Sequence, residues 1–206
     1  MDGDIFVLCD TRLKLADEAQ FRKLWGETCF FNLYSGEKRG IAVLIKDGTP
    51  IDNIDFQSVI KGNFSKLTFS VKNESVLVKC IYAPNPDMNL TGPDNESKIF
   101  FQKVFDDTNE NNFTHKISTG DFNVALNHFY DTSGYLHVNN PNSRDYIARN
   151  IEKCNLVDSW RSRNPKSRHY TFGKKQTKNY TRACLDYFLI SKNSTHLVSK
   201  IGMDRV

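Results

Sequence analysis

The stretch Gly120-Asp121-Phe122-Asn123 closes an apolar run that begins at His115, and it sets a carboxylate and a carboxamide two residues apart around a phenylalanine. In extended backbone, residues two apart share a face. Asp121 and Asn123 are therefore expected to project together while Phe122 turns into the core. The acid can take a proton from water or bind a cation, and the amide can hold that water in one orientation. An Asx-type turn that merely ends the strand would use the same residues without any chemistry. Gly120 permits a bend or the close approach of another group. Other polar groups stand at comparable places. Asp10 ends "IFVLCD", Tyr82 ends "VKCIY", Thr171 lies in "HYTF", and Asp186 is set inside the apolar "RACLDYFLI". A carboxylate in such a strand is costly unless it is paired, hydrogen-bonded or bound to a metal.

The charge distribution adds a second pattern. The chain has 28 Lys and Arg against 24 Asp and Glu. Eight of the basic residues, and no acid, fall between Arg161 and Arg182, so the remainder is net acidic. The basic residues are Arg161, Arg163, Lys166, Arg168, Lys174, Lys175, Lys178 and Arg182, interleaved with Tyr170, Phe172 and Tyr180. Positive charge neutralises phosphates and aromatic faces stack on bases. A solvated, lysine-rich loop pair is the plainer alternative.

Short runs rich in β-branched and aromatic residues are expected to be strands: "DIFVLC", "TCFFNLY", "GIAVLIK", "KLTFSV", "SVLVKCIY", "HKISTGDF" and "CLDYFLIS". "VKNES" reads as a hairpin turn. Helices are expected over "DEAQFRKLW", with Asp17 as its cap, over "NESKIFFQKVFDD", and over "SRDYIARNIEKCN". Two long polar loops, "APNPDMNLTGPDN" and "ALNHFYDTSGYLHVNNPNS", are of a length that often carries function. The five cysteines show neither a disulfide framework nor metal-ligand spacing, and read as small buried hydrophobes. With no run long enough to span a bilayer and acids at the N-terminus, the chain is expected to be soluble and intracellular. Strands punctuated by helices suggest an α+β layered fold in a single domain over residues 1–206.

Taken together and in order, "IFVLCDTRL", "RGIAVLIK", "IYAPN", "GDFN", "DSWRSRNPKSRHYTF" and "LDYFLIS" resemble the exonuclease–endonuclease–phosphatase superfamily. The resemblance is to its apurinic-type endonuclease branch, found in non-LTR (LINE-type) retrotransposon proteins. It implies a four-layer α/β/β/α sandwich of two packed mixed sheets. It further implies hydrolysis of DNA phosphodiesters with Mg²⁺ or Mn²⁺, in a monomer whose partners are DNA and the reverse transcriptase domain of a longer polyprotein, with the nucleus as one location. By the same resemblance Asp10 stands at the metal-binding position and Tyr82 faces the scissile phosphate. Asp121 activates or orients water with Asn123 as its partner, Thr171 positions site groups, and Asp186 orients the second half of the site.

Two departures accompany the resemblance. Asp10 replaces a family glutamate and is one methylene shorter. The family's opening strand, ending in asparagine, and its closing Ser-Asp-His have no counterpart between Met1 and Val206. The chain is therefore expected to lack the first and last family strands, to be less stable than the family norm, and to be weakly active or inactive. A catalytically silent nucleic-acid-binding remnant is the alternative.

Overall fold

The computed structural model describes residues 3–26, 28–34, 38–85, 96–106, 110, 112–135, 140–175 and 180–202. Lys178 and most of the loop after Asn85 lie outside the described residues. The fold is mixed α+β, as expected. It comprises two compact units, one of residues 1–82 with 109–120, the other of residues 83–108 with 121–206. The chain passes between them three times, at 82–83, 108–109 and 120–121.

In the first unit, β1 (Ile5–Cys9) and β2 (Cys29–Asn32) flank β3 (Ile41–Ile45) in a three-stranded antiparallel sheet. β3 is fully buried, and its side chains alternate between two cores. Ile41, Val43 and Ile45 pack on Leu67, Phe69, Val76, Val78 and Cys80 of a second sheet. Ala42 and Leu44 face Phe21 and Trp25 of helix α1 (Leu15–Trp25). The unit is thus a helix, a sheet and a second sheet in succession. Asp17 sits in the first turn of α1, not at its cap as expected; its carboxylate reaches back to the Lys14 amide at 2.8 Å.

The second sheet runs in the order β4 (Asp52–Ile60), β5 (Phe64–Val71), β6 (Glu74–Tyr82), β7 (His115–Asp121). The expected β5–β6 hairpin is present. Val71 pairs with Glu74, and Lys72 and Asn73 between them both have positive φ, as a two-residue turn matching strand twist requires. β4 was not expected. Its residues are mostly exposed, so it lacks the apolar run by which the other strands are legible.

The second unit carries the remaining helix layer. Helices α2 (Glu96–Val104) and α4 (Pro141–Lys153) pack together. Phe101 stacks on Phe122, whose other side meets the edge of Tyr187. Strand β12 (Asp186–Ser191) pairs with β9 (Leu156–Asp158). A short antiparallel sheet is formed by β10 (Phe172–Lys175), β11 (Tyr180–Ala183) and β8 (Thr132–Ser133). Two short helices, α3 (His128–Asp131) and α5 (Ser159–Arg163), are capped by Asn127 and Asp158. These pieces are the components of the α/β/β/α sandwich that the sequence implies.

Gly120, with φ of 125°, lies so close to β6 that a Cβ would stand 2.0 Å from the Ile81 carbonyl oxygen. Gly48, also at positive φ, faces open space. Replacing Gly120 with Ala is expected to cost roughly 2–4 kcal/mol, against about 1 kcal/mol for Gly48→Ala. Urea unfolding of the two variants checks the contrast; equal losses would show that the close approach is unimportant.

Candidate functional site

The expected site residues fall into two groups, Asp10 and Tyr82 in the first unit, Asp121, Asn123, Thr171 and Asp186 in the second.

Around Asp10 the backbone turns out of β1 into the left-handed region, with φ of 51° at Asp10 and 56° at Arg12. The turn is held by Thr11 and Arg12, whose amides donate to the carbonyls of Gly40 and Arg39 at 3.2 and 3.0 Å. The Asp10 carboxylate then collects donors. Arg12 gives two bonds to Oδ2, from Nε at 3.0 Å and from Nη2 at 2.8 Å. The Arg39 amide gives one to Oδ1 at 2.9 Å, and the Tyr82 hydroxyl gives another. Burial pushes this carboxyl up, but the bonds from Arg12, Arg39 and Tyr82 outweigh it and hold the group below the ordinary aspartate value. Asn63 ties the cluster together. Its side-chain amide donates to the Tyr82 carbonyl at 2.6 Å, its own carbonyl accepts from the Tyr82 amide, and its Oδ1 accepts from Arg39 at 2.8 Å. Asp10 and Tyr82 are therefore brought together. Arg12, Arg39 and Asn63 were not singled out in the sequence. Arg12, two residues beyond the acid, and the Gly62-Asn63 turn before a strand were the available signals.

In the second unit, Asp121 Oδ1 accepts from the Asn123 amide at 2.7 Å, and Asn123 has φ of 51°. This is the Asx turn that was the plainer reading, so Asp121 and Asn123 are associated by a turn and not by strand alternation. Phe122 is fully buried between them, as expected. Asn123 donates its side-chain amide to the Ala83 carbonyl at 2.7 Å, and the Ala83 amide donates to the Asp121 carbonyl at 2.8 Å. Thr171 Oγ accepts from the amides of Leu185 and Asp186 at 3.0 and 3.3 Å. Burial raises the Asp186 carboxyl above its ordinary value, and the hydrogen bond with Thr171 offsets only part of that rise. Thr171 is thus a positioning group for Asp186. Asn123 also lines a cavity of about 230 Å³, with Asn85, Tyr135, Phe172, Ala183 and Leu185. Its two carboxamides among apolar and aromatic walls suit a partly polar ligand group.

The basic segment divides. Arg161 is turned inward, its side chain 19% exposed. It pairs with buried Asp131, donates to the carbonyls of Asn164 and Ser167, and lies over the Trp160 ring. Asp131, in turn, accepts from the amide of Asn127 and from Tyr187. Arg163 donates to the carbonyls of Val198 and Ser199. Lys166, Arg168, Lys174, Lys175 and Arg182 are exposed, Arg168 over the Phe129 ring and Arg182 over Tyr180 at 4.6 Å. Tyr170 is half-buried. On the β10–β11 ribbon, Lys175 pairs with Tyr180 and Gly173 with Arg182, which puts one aromatic and two cations on a single face.

No family model matches the sequence. Among curated proteins, an uncharacterised 149 kDa protein of transposon TX1 from Xenopus laevis is 26% identical over 189 residues, which is 89% of this chain and 13% of that protein. The chain thus spans about 13% of the length of the curated relative it matches. Among solved structures, an AP endonuclease from Leishmania major is similar with a TM-score of 0.73 at 18% identity, over 94% of this chain and 71% of that one. An APE2 catalytic domain from Xenopus laevis is similar with a TM-score of 0.70 at 15% identity, over 95% and 76%. A 3′ phosphatase from Neisseria, bound to a product DNA hairpin, has a TM-score of 0.62 at 16% identity, over 94% and 78%. The chain has the fold of the AP endonucleases.

The buried acids of the second unit should respond oppositely to neutralisation. Burial raises the carboxyls of both Asp131 and Asp186. A carboxyl raised in the folded state is no burden below the ordinary aspartate value, and opposes folding increasingly as pH rises through and above it. Asp186→Asn removes that burden and should flatten the loss of stability between pH 4 and neutrality. Asp131→Asn removes it too, but strands the Arg161 charge, and should cost about 3 kcal/mol at neutral pH. Urea unfolding across pH distinguishes them; a steeper pH dependence in Asp186→Asn would refute the assignment.

Proposed function

We propose that this chain acts on DNA phosphodiesters as the nuclease-type domain of a transposon-encoded protein, and that its hydrolysis is slow. The observation that carries the reading is the likeness over 94% of the chain to an AP endonuclease, joined to the match with a transposon protein over 89% of it. Asp121 serves as the group that accepts a proton from the attacking water, in the orientation its Asx turn fixes. Asn123 is held by Ala83 as its neighbour. Asp186, steadied by Thr171, orients the second part of the site. Tyr82, held to Asp10 and Asn63, faces the phosphate. The exposed Lys166, Arg168, Lys174, Lys175 and Arg182 supply the sequence-independent attraction to the backbone, with Tyr170 and Tyr180 as stacking surfaces. The partners of this reading are duplex DNA and the rest of a longer polyprotein with a reverse transcriptase, and its place is the nucleus. Among the described residues no helix is long and apolar enough to cross a membrane.

Such hydrolysis calls for Mg²⁺ or Mn²⁺, which would neutralise charge on the phosphate as it is attacked. The position that the resemblance gives to the ion does not fit one, because the Asp10 carboxylate is already engaged by Arg12 on Oδ2 and by the Arg39 amide on Oδ1. That engagement favours a second reading, a catalytically silent domain that binds DNA through the same basic ribbon.

Plasmid nicking in Mg²⁺ buffer, run beside a DNA-binding assay at several salt concentrations, tests both. The expected outcome is salt-sensitive binding with slow conversion to open circles, and a further loss of about 100-fold in nicking for Asp121→Ala with binding retained. Binding without any nicking would select the second reading. Absence of salt-sensitive DNA binding would overturn both.

A further inference from the structure

A carboxylate has about four lone-pair positions. On Asp10, Oδ2 accepts from Nε and Nη2 of Arg12 and Oδ1 from the amide of Arg39, and the Tyr82 hydroxyl also donates to the group. All these groups belong to the first unit, and all are donors. A divalent ion needs the same lone pairs. To reach them it must displace a guanidinium tethered two residues away, whose effective concentration is correspondingly high. The shorter side chain of an aspartate favours the protein donors again, because it keeps Oδ1 near the backbone, within 2.9 Å of the Arg39 amide. The conformation of the turn serves the pair. Both Asp10 and Arg12 hold left-handed backbone, and Arg12 folds back on the acid with two bonds that converge on one oxygen.

Arg12 has five N–H groups, and Asp10 takes two. Its side chain is 65% exposed. The remaining N–H groups of a planar fork are thus held in a fixed orientation at the surface, beside the tyrosine placed opposite the phosphate in the reading above. We infer that Asp10 is the anchor of a phosphate-binding arginine and not a ligand for a divalent ion, so that the cation this position offers to a nucleic-acid phosphate is the Arg12 guanidinium. The inference rests on the reading that the chain handles DNA. It adds which cation meets the phosphate here, and it assigns Asp10 a positioning role.

Two measurements test it on the whole chain. In the first, Mn²⁺ is titrated into nitrogen-labelled protein and paramagnetic broadening of the amides around Asp10 is followed. The wild type should show no broadening there. Arg12→Ala should show it, and the added substitution Asp10→Asn should remove it. Broadening around Asp10 in the wild type that Asp10→Asn abolishes would overturn the inference, as would an Arg12→Ala variant no more responsive than wild type. In the second, affinity for duplex DNA is measured against salt. Arg12→Ala should lower the slope of log affinity against log salt by about one unit, the share of a single phosphate contact, and Asp10→Asn should weaken binding with Arg12 still present. An unchanged slope in Arg12→Ala would also overturn it. If the wild type fails to bind DNA at all, the proposed function fails, and the Mn²⁺ comparison alone decides whether Asp10 is open to a metal.

Discussion

The Asp10 carboxylate takes donors on both of its oxygens, and the end of β1 is tied to the rest of the first unit through them. The acid fixes the Arg12 side chain, the Arg39 amide and the Tyr82 hydroxyl at one point. Asn63 then binds Tyr82 and Arg39 from behind. The carboxylate thus ties the end of β1 to the turn before β3 and the end of β6, and Asn63 adds the turn before β5. The cost of its partial burial is offset because each donor is itself held by the fold. In a position where the resemblance calls for a metal-binding acid, the same side chain has become a structural hub with an arginine attached.

The second unit solves a different problem, how to present an acid and an amide just past the end of a half-buried strand. Phe122 is the fixed point. It has no exposed surface, stacks on Phe101, and meets the edge of Tyr187. With that ring fixed, the Asx turn between Asp121 and Asn123 and the Ala83 carbonyl set the two polar side chains. Tyr187 bonds to the Leu126 amide and, more distantly, to Asp131, which holds Arg161. The aromatic core and the buried ion pair are therefore continuous. This is why Arg161 is a structural cation despite lying in the most basic segment of the sequence.

The residues that carry strong local signals were legible in the sequence. Seven strands were visible because their apolar runs are buried or half-buried, and the β5–β6 turn because its two central residues must adopt positive φ. Gly120 was marked as a point of close approach, and Phe122 as a core residue. Where the information is non-local, the sequence was silent or misleading. β4 exposes most of its side chains and left no apolar pattern. Asp17 has the chemistry of a cap but stands inside the first turn, from where its carboxylate accepts from the Lys14 amide. Arg161 and Arg182 look alike in a charge count, yet only the first finds a buried carboxylate 30 residues away. Arg12, Arg39 and Asn63 acquire their meaning from Asp10 and Tyr82, and no spacing rule connects those five.

What occupies the Asp10 carboxylate decides between a metal ligand and an arginine anchor. The direct measurement is a crystal structure of the chain grown in Mn²⁺, with the anomalous signal used to locate the ion. The account requires density for Arg12 on Oδ2 and the Arg39 amide on Oδ1, with no anomalous peak at coordinating distance from Asp10. A manganese peak bound to that carboxylate, with Arg12 turned away, would contradict it.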